Sequence, residues 1–153
     1  MGTGREADAT DAIEHILKDV TKKIWEKAAK HRNGKGLEEG ADFTDVRKQI
    51  EKLRKSGRHQ DFGALLVAIC AGTWTASRKA EVYGGDGLCS CGKPDTDYHR
   101  IWEPCARKKD HKDYDARKHL IEHAKEGAAT VPASWLRGIP PTSWTTPEDC
   151  STE

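Results

Sequence analysis

Residues 84–105, GGDGLCSCGKPDTDYHRIWEPC, place three cysteines and a histidine among Gly, Pro and Asp. A stretch with so few apolar side chains cannot hold itself together by burial alone. Cys89, Cys91, His99 and Cys105 are the side chains with the chemistry to do it instead. Zinc takes four soft or borderline ligands at tetrahedral corners, most often thiolates and imidazole. Binding to a site absent from the unfolded chain is itself folding free energy. A tight Cys pair followed by Gly is the usual knuckle, and Gly92 stands where the chain must turn back toward the sulfurs. The pair Cys89-Ser90-Cys91 has one residue between its sulfurs, where two or more are usual. Three readings stay open on these residues: a bound zinc, a lost or weakened site, and redox or other cysteine chemistry. A catalytic thiol is disfavoured, because no orienting group or oxyanion donor can be read beside His99.

The five cysteines are an odd number, which fits poorly with a closed disulfide framework. The start, MGTGREADATDA, lacks the apolar region of a secretory signal. No run approaches the roughly 18 apolar residues of a membrane span. The expected setting is intracellular, cytoplasmic or nuclear, where cysteines are more often free or metal-bound than paired. Of the 153 residues, 35% are hydrophobic and 33% charged, with a mean hydropathy of −0.83. That places the chain between a compact domain and a disordered segment. Charge is nearly balanced: residues 1–60 carry a net +3 and residues 61–153 a net −2. Neither half has the basic excess of a dedicated nucleic-acid binder. The run Arg107-Lys108-Lys109 reads first as a solvated face.

Helical periodicity accounts for most of the remainder. The expected fold is mainly α: a small helical scaffold, an irregular zinc-knuckle loop and an extended Pro-rich tail. Residues 1–10 are expected to be disordered and 11–83 to be the helical region. In 11–31, Ile13, Ile16, Leu17, Val20, Ile24 and Ala28 share one face, extended by Trp25, behind a Thr10 or Asp11 cap. That stripe is expected to pack on the rest of the chain, with docking on a larger partner as the other option. After a glycine-rich loop at 32–43, residues 45–56 form a second helix, capped by Thr44, with Val46, Ile50 and Leu53 inward. Residues 62–82 read as one helix capped by Asp61, with Cys70 as a small buried hydrophobe.

The knuckle loop covers 84–110 and a further helix lies within 111–130, Ala116, Leu120, Ile121 and Ala124 facing inward and Gly127 stopping it. His119 and His123 on it lack a third ligand and read as solvated. The tail, 131–153, is rich in Pro and Trp and is expected to wrap a surface without building a core. Its last residues, Cys150 included, are expected to be disordered.

The stretch LLVAICAGTWTASRKAEVYGGDGLCSCGKPDTDYHRIWEPC, followed by VPASWLRGIPPTSWTTP, resembles the region after the reverse-transcriptase domain in non-long-terminal-repeat retrotransposon polyproteins, most of all the dinoflagellate forms. The family's Gly-x-x-Trp-x-x-x-Arg helix is matched by Gly72, Trp74 (one residue early) and Arg78. Its Cys-x-x-Cys-Gly knuckle, Thr and His-Arg-x-Trp are matched by Cys89, Cys91, Gly92, Thr96, His99, Arg100 and Trp102. IWEKAAKHRNGKGLEEGADF also looks like the region between polymerase and knuckle, so the likeness spans about residues 20–147. Two departures fall on ligand spacing: the short Cys pair, and the family's Cys-Pro inverted to Pro104-Cys105. The resemblance implies a zinc role for Cys89, Cys91, His99 and Cys105.

The polymerase of that family depends on an aromatic-x-Asp-Asp motif, and this chain has no Asp-Asp pair. It also ends before a ribonuclease-H-like domain could begin. Converging carboxylates for metal-assisted phosphoryl transfer are not recognisable. The expectation is therefore a non-catalytic zinc-binding connector, with no small-molecule substrate and no membrane. Its expected partners are RNA or DNA backbone, touched by Lys93, Arg100, Arg107, Lys108 and Lys109, and a polymerase or other protein surface. The alternatives are a metal-free helical protein–protein interaction module and a degenerate gene fragment.

Overall fold

The computed structural model describes residues 3–103, 105 and 112–144, and the chain is mainly helical. The first helix, α1 (Thr3–Ala29), begins ahead of the Thr10 or Asp11 cap, within the segment expected to be disordered. Arg5, Glu6, Ala7 and Ala9, all strong helix formers, lie in that first stretch, which runs back past Gly4 to Thr3. Next come α2 (Thr44–Lys55) and α3 (His59–Ile69). The α2 face is as expected, with Val46 and Leu53 buried and Ile50 half-buried. Thr44 is its first residue rather than its cap: Phe43 holds the cap position without a side-chain bond, and the Asp42 carboxylate just ahead accepts from the Thr44 amide at 2.8 Å.

The helix expected over 62–82 is two helices. After Ile69, the Ala71 amide donates to the Ala68 carbonyl at 3.0 Å and the Gly72 amide to Val67 at 2.8 Å. That is a Schellman ending with Ala71 left-handed at φ 52°. Ala rarely adopts this conformation, so the apolar run gives no sign of the stop. The turn leaves Cys70 exposed, contrary to its expected burial. Thr75 then caps α4 (Ala76–Tyr83), its hydroxyl accepting from the Arg78 amide at 3.2 Å.

The short α5 (Asp97–Ile101) follows the cysteine pair, and α6 (Lys112–Arg117) continues through one 3-10 turn into α7 (Ile121–Thr130). Ala124 is buried on α7, Leu120 and Ile121 are half-buried, and Ala116 is exposed rather than inward. His119 and His123 are exposed, as expected of solvated histidines. Gly127 does not stop the helix. A β-carbon there would overlap the Trp135 ring, so the residue serves a close approach.

The tail departs most from expectation. Pro132 opens a helix, α8 (Pro132–Arg137), where its missing amide and fixed φ cost nothing. Gly138, left-handed at φ 69°, ends it. Ala133 and Ile139 are buried to 0% and 1% exposure and join Ala29, Leu37, Val46 and Ile69 in the main core. The chain then runs antiparallel beside the 40–42 loop, the Asp42 amide donating to the Pro140 carbonyl at 2.9 Å. Helix α8 also touches α3, α5 and α7, so the segment expected only to wrap a surface sits at the centre. Among the described residues no helix is long and apolar enough to cross a membrane.

Burial of Ile139 makes a direct prediction. Ile139→Ala should lower unfolding free energy in urea by about 2–5 kcal/mol. Cys70→Ala, at an exposed position, should change it by no more than about 0.5 kcal/mol.

Candidate metal centre

The cysteine pair lies on a tight backbone reversal. The Cys89 amide donates to the Lys93 carbonyl at 2.7 Å, and the Gly92 amide to the Cys89 carbonyl at 2.8 Å. Gly92 has φ 82°, which side-chain-bearing residues rarely adopt. An isolated bridge between Leu88 and Pro94 closes the loop behind it. This turn brings both sulfurs to one side although a single residue separates them.

The other two candidates arrive from α5 and the segment after it. Thr96 caps α5, its hydroxyl accepting from the His99 amide at 3.1 Å. That fixes the helix on which His99 sits, buried at 2% exposure. Cys105 is also buried and lies with its sulfur 3.6 Å from that of Cys89. The Cys91 sulfur is 3.4 Å from His99 Nε2. All four donor atoms lie within 4.8 Å of one another, so the cluster can hold a metal ion. Zinc–sulfur bonds of about 2.3 Å at tetrahedral angles give sulfur–sulfur edges of about 3.8 Å, and sulfur–nitrogen edges slightly shorter. The two edges here fit that figure, and three thiols with one imidazole suit zinc chemically. The inverted Pro104-Cys105 order therefore still delivers its sulfur.

A residue the sequence reading passed over completes the centre. Glu103 Oε2 lies 2.8 Å from His99 Nδ1. The carboxylate accepts the Nδ1 proton, which leaves the Nε2 lone pair facing Cys91 and available to a metal. The signal was present as the four-residue spacing from His99, one helical turn. Burial opposes the charged imidazole, but the Glu103 hydrogen bond and the neighbouring thiols outweigh it and raise the His99 pKa. The His99 bond in turn lowers the Glu103 pKa, despite burial. The Cys91 amide, with help from His99 and the other two thiols, lowers Cys89 to about 5. For Cys91 the Lys93 amide acts downward, but burial and the Cys89 and Cys105 thiols prevail and raise it.

A Cys91–His99–Glu103 line could also describe a nucleophile, base and orienting acid. Cys89 and Cys105 sit within ligand distance of the same point, where a substrate carbonyl would have to approach. Their presence favours a metal over a nucleophile.

The matched motif residues each acquire a structural task. Arg78 donates to the carbonyls of Ala71 at 2.8 Å and Thr73 at 2.5 Å, and to Asp97 at 2.7 Å, tying the α3–α4 turn to α5. Asn33 donates to the same carboxylate at 2.8 Å. Trp102 is buried, and its indole nitrogen donates to the Trp135 carbonyl at 2.8 Å, with the two rings 5.6 Å apart. Trp74 is half-exposed and stacks on Tyr83 at 6.2 Å.

The expected nucleic-acid contacts divide. Arg100 is held by Asp95, through Nε at 2.9 Å and a terminal nitrogen at 2.6 Å. Asp95 also accepts from the Ala76 amide at 2.7 Å. Lys93 lies 3.4 Å from Glu103 and is exposed. Arg107, Lys108 and Lys109 lie outside the described residues. Compared with family models, with curated proteins and with solved structures, the chain matches none.

Because Glu103 orients His99, Glu103→Ala should weaken metal binding by about 10–100-fold in a competition titration. The far-ultraviolet spectrum of the metal-saturated variant should stay that of the parent.

Proposed function

We propose that the chain is a non-catalytic zinc-binding connector, akin to the region that follows the polymerase in non-long-terminal-repeat retrotransposon polyproteins. The observation that carries the metal part is the convergence of Cys89, Cys91, His99 and Cys105 within 4.8 Å. In this reading the ion closes the 84–105 loop onto α5. Trp102 then passes that rigidity to α8 through its hydrogen bond to Trp135. The connector reading is supported by the fit between motif residues and structural tasks. Arg78, Thr96, His99, Arg100 and Trp102 all hold the knuckle or fix it to its neighbours. A chain built this way presents a rigid knuckle at a set position and has no substrate chemistry of its own.

Native mass spectrometry should find one zinc per chain. Chelator, or Cys91→Ser, should remove the ion and lower helical content as α5 loses its anchor. A metal-free mass with unchanged helicity in Cys91→Ser would contradict the reading. A catalytic pair gives the opposite pattern, with turnover lost and folding kept.

Nucleic-acid backbone is the proposed partner of the basic groups beside the knuckle. Support comes from the Arg107-Lys108-Lys109 run and from exposed Lys93. Arg100, engaged by Asp95, is assigned the lesser share. Affinity for single-stranded RNA should fall steeply between about 50 and 200 mM salt. Replacing Lys108 and Lys109 with Ala should flatten that slope while zinc content stays the same. Salt-independent binding would remove the backbone role.

A further inference from the structure

Helix α1 carries an apolar seam that the rest of the chain does not cover. Ile13, Ile16, Leu17, Val20 and Ile24 are 48–60% exposed. Its last turns pack on the body through Trp25, which meets Phe43, and through Ala28 and Ala29, while Leu17 and Thr21 line an open cavity shared with Gly40, Ala41 and Thr142. The expectation that the stripe packs on its own chain therefore fails over residues 10–24. Helical stability in proteins comes mainly from packing an amphipathic face, and a helix alone in water is marginal. A helix of 27 residues with its seam in solvent lacks that support.

Two features of the sequence specify what would cover it. Ile13, Leu17, Val20 and Ile24 step by four, three and four residues, the alternation of a coiled-coil seam. The charges are polarised along the same helix. Glu6, Asp8, Asp11 and Glu14 outnumber Arg5 in the first half, and Lys18, Lys22, Lys23 and Lys27 outnumber Asp19 and Glu26 in the second.

We propose that α1 pairs antiparallel with α1 of a second copy of this chain. An antiparallel arrangement centred on the seam sets Ile13 of one copy against Ile24 of the other, and Leu17 against Val20. It also lays each acidic half along a basic half. A parallel pair would set acid on acid and base on base, at a cost. The charge gradient complements the helix's own dipole as well. The dipole, however, gives no reason for an uncovered apolar seam. The seam extends over only two heptads, so the dimer forms and dissociates with concentration. It does not depend on the metal centre, which lies on other elements.

Sedimentation equilibrium of the full chain tests this. The parent should pass from monomer to dimer on reaching about 100 μM, where micromolar complexes are populated. Leu17→Glu combined with Val20→Glu should stay monomeric and keep one zinc per chain, because both positions are exposed in the monomer. Lys22→Glu combined with Lys23→Glu should weaken the dimer at least tenfold, since acid then meets acid. A parent that stays monomeric throughout, as it would if another protein covers the seam, overturns the proposal. So does a dimer that survives Leu17→Glu with Val20→Glu. Association of the Lys22→Glu, Lys23→Glu chain as tight as the parent's is what a parallel pair gives, because like charge then meets like in both chains, and it would overturn the arrangement.

Discussion

Four donor atoms converge within 4.8 Å in a segment that has few apolar side chains to bury. That convergence is the constraint around which this half of the molecule is arranged. Thiols and an imidazole that close lose much of their contact with water, and a cation held between them would supply the compensating interaction. Each neighbouring feature serves the convergence. Gly92 permits the reversal that aims Cys89 and Cys91. Thr96 begins the helix that carries His99, and Glu103 sets the tautomer of its ring. Asp95, which holds Arg100 and the first amide of α4, ties the knuckle to the preceding helix.

The opposite half rests on burial in the ordinary sense, and α8 joins the two. Its residues Ala133 and Trp135, with Ile139 just beyond, serve different neighbours. Ala133 and Ile139 complete the core with Leu37 and Ile69, while Trp135 meets Trp102 and Gly127. The Arg137 side chain donates to the Ile69 carbonyl at 2.8 Å, closing the end of α3. A chain with modest apolar content thus reaches a packed interior by using α8 twice. The α1 seam is one apolar surface left exposed once both halves are satisfied, and it gathers five large aliphatic side chains on a single helix.

Much of this was legible in residue patterns, and the failures have physical causes. The mainly helical fold, the inward face of α2 and the four clustered ligands follow from periodicity and from donor chemistry. The break after Ile69 was hidden because it uses Ala71 in a conformation that propensity assigns to Gly. The Pro-rich tail was expected to stay extended, yet Pro132, at a first turn, starts a helix. Gly127 looked like a stop and is a clearance for an indole ring. In α1 the periodicity correctly marked an apolar face. Periodicity alone does not say what that face meets: Trp25 and Ala28 reach the body, while Ile13 to Ile24 stay exposed. Glu103 escaped notice because a carboxylate is not a usual knuckle ligand, although its spacing from His99 is that of helical neighbours.

The central claim is that Cys89, Cys91, His99 and Cys105 together bind one zinc ion. X-ray absorption at the zinc edge of the loaded, full-length chain measures this most directly. The account predicts a first shell of three sulfurs at about 2.3 Å and one nitrogen at about 2.0–2.1 Å. A shell of oxygen and nitrogen without sulfur, or two sulfurs with the remaining positions filled by water, would contradict it.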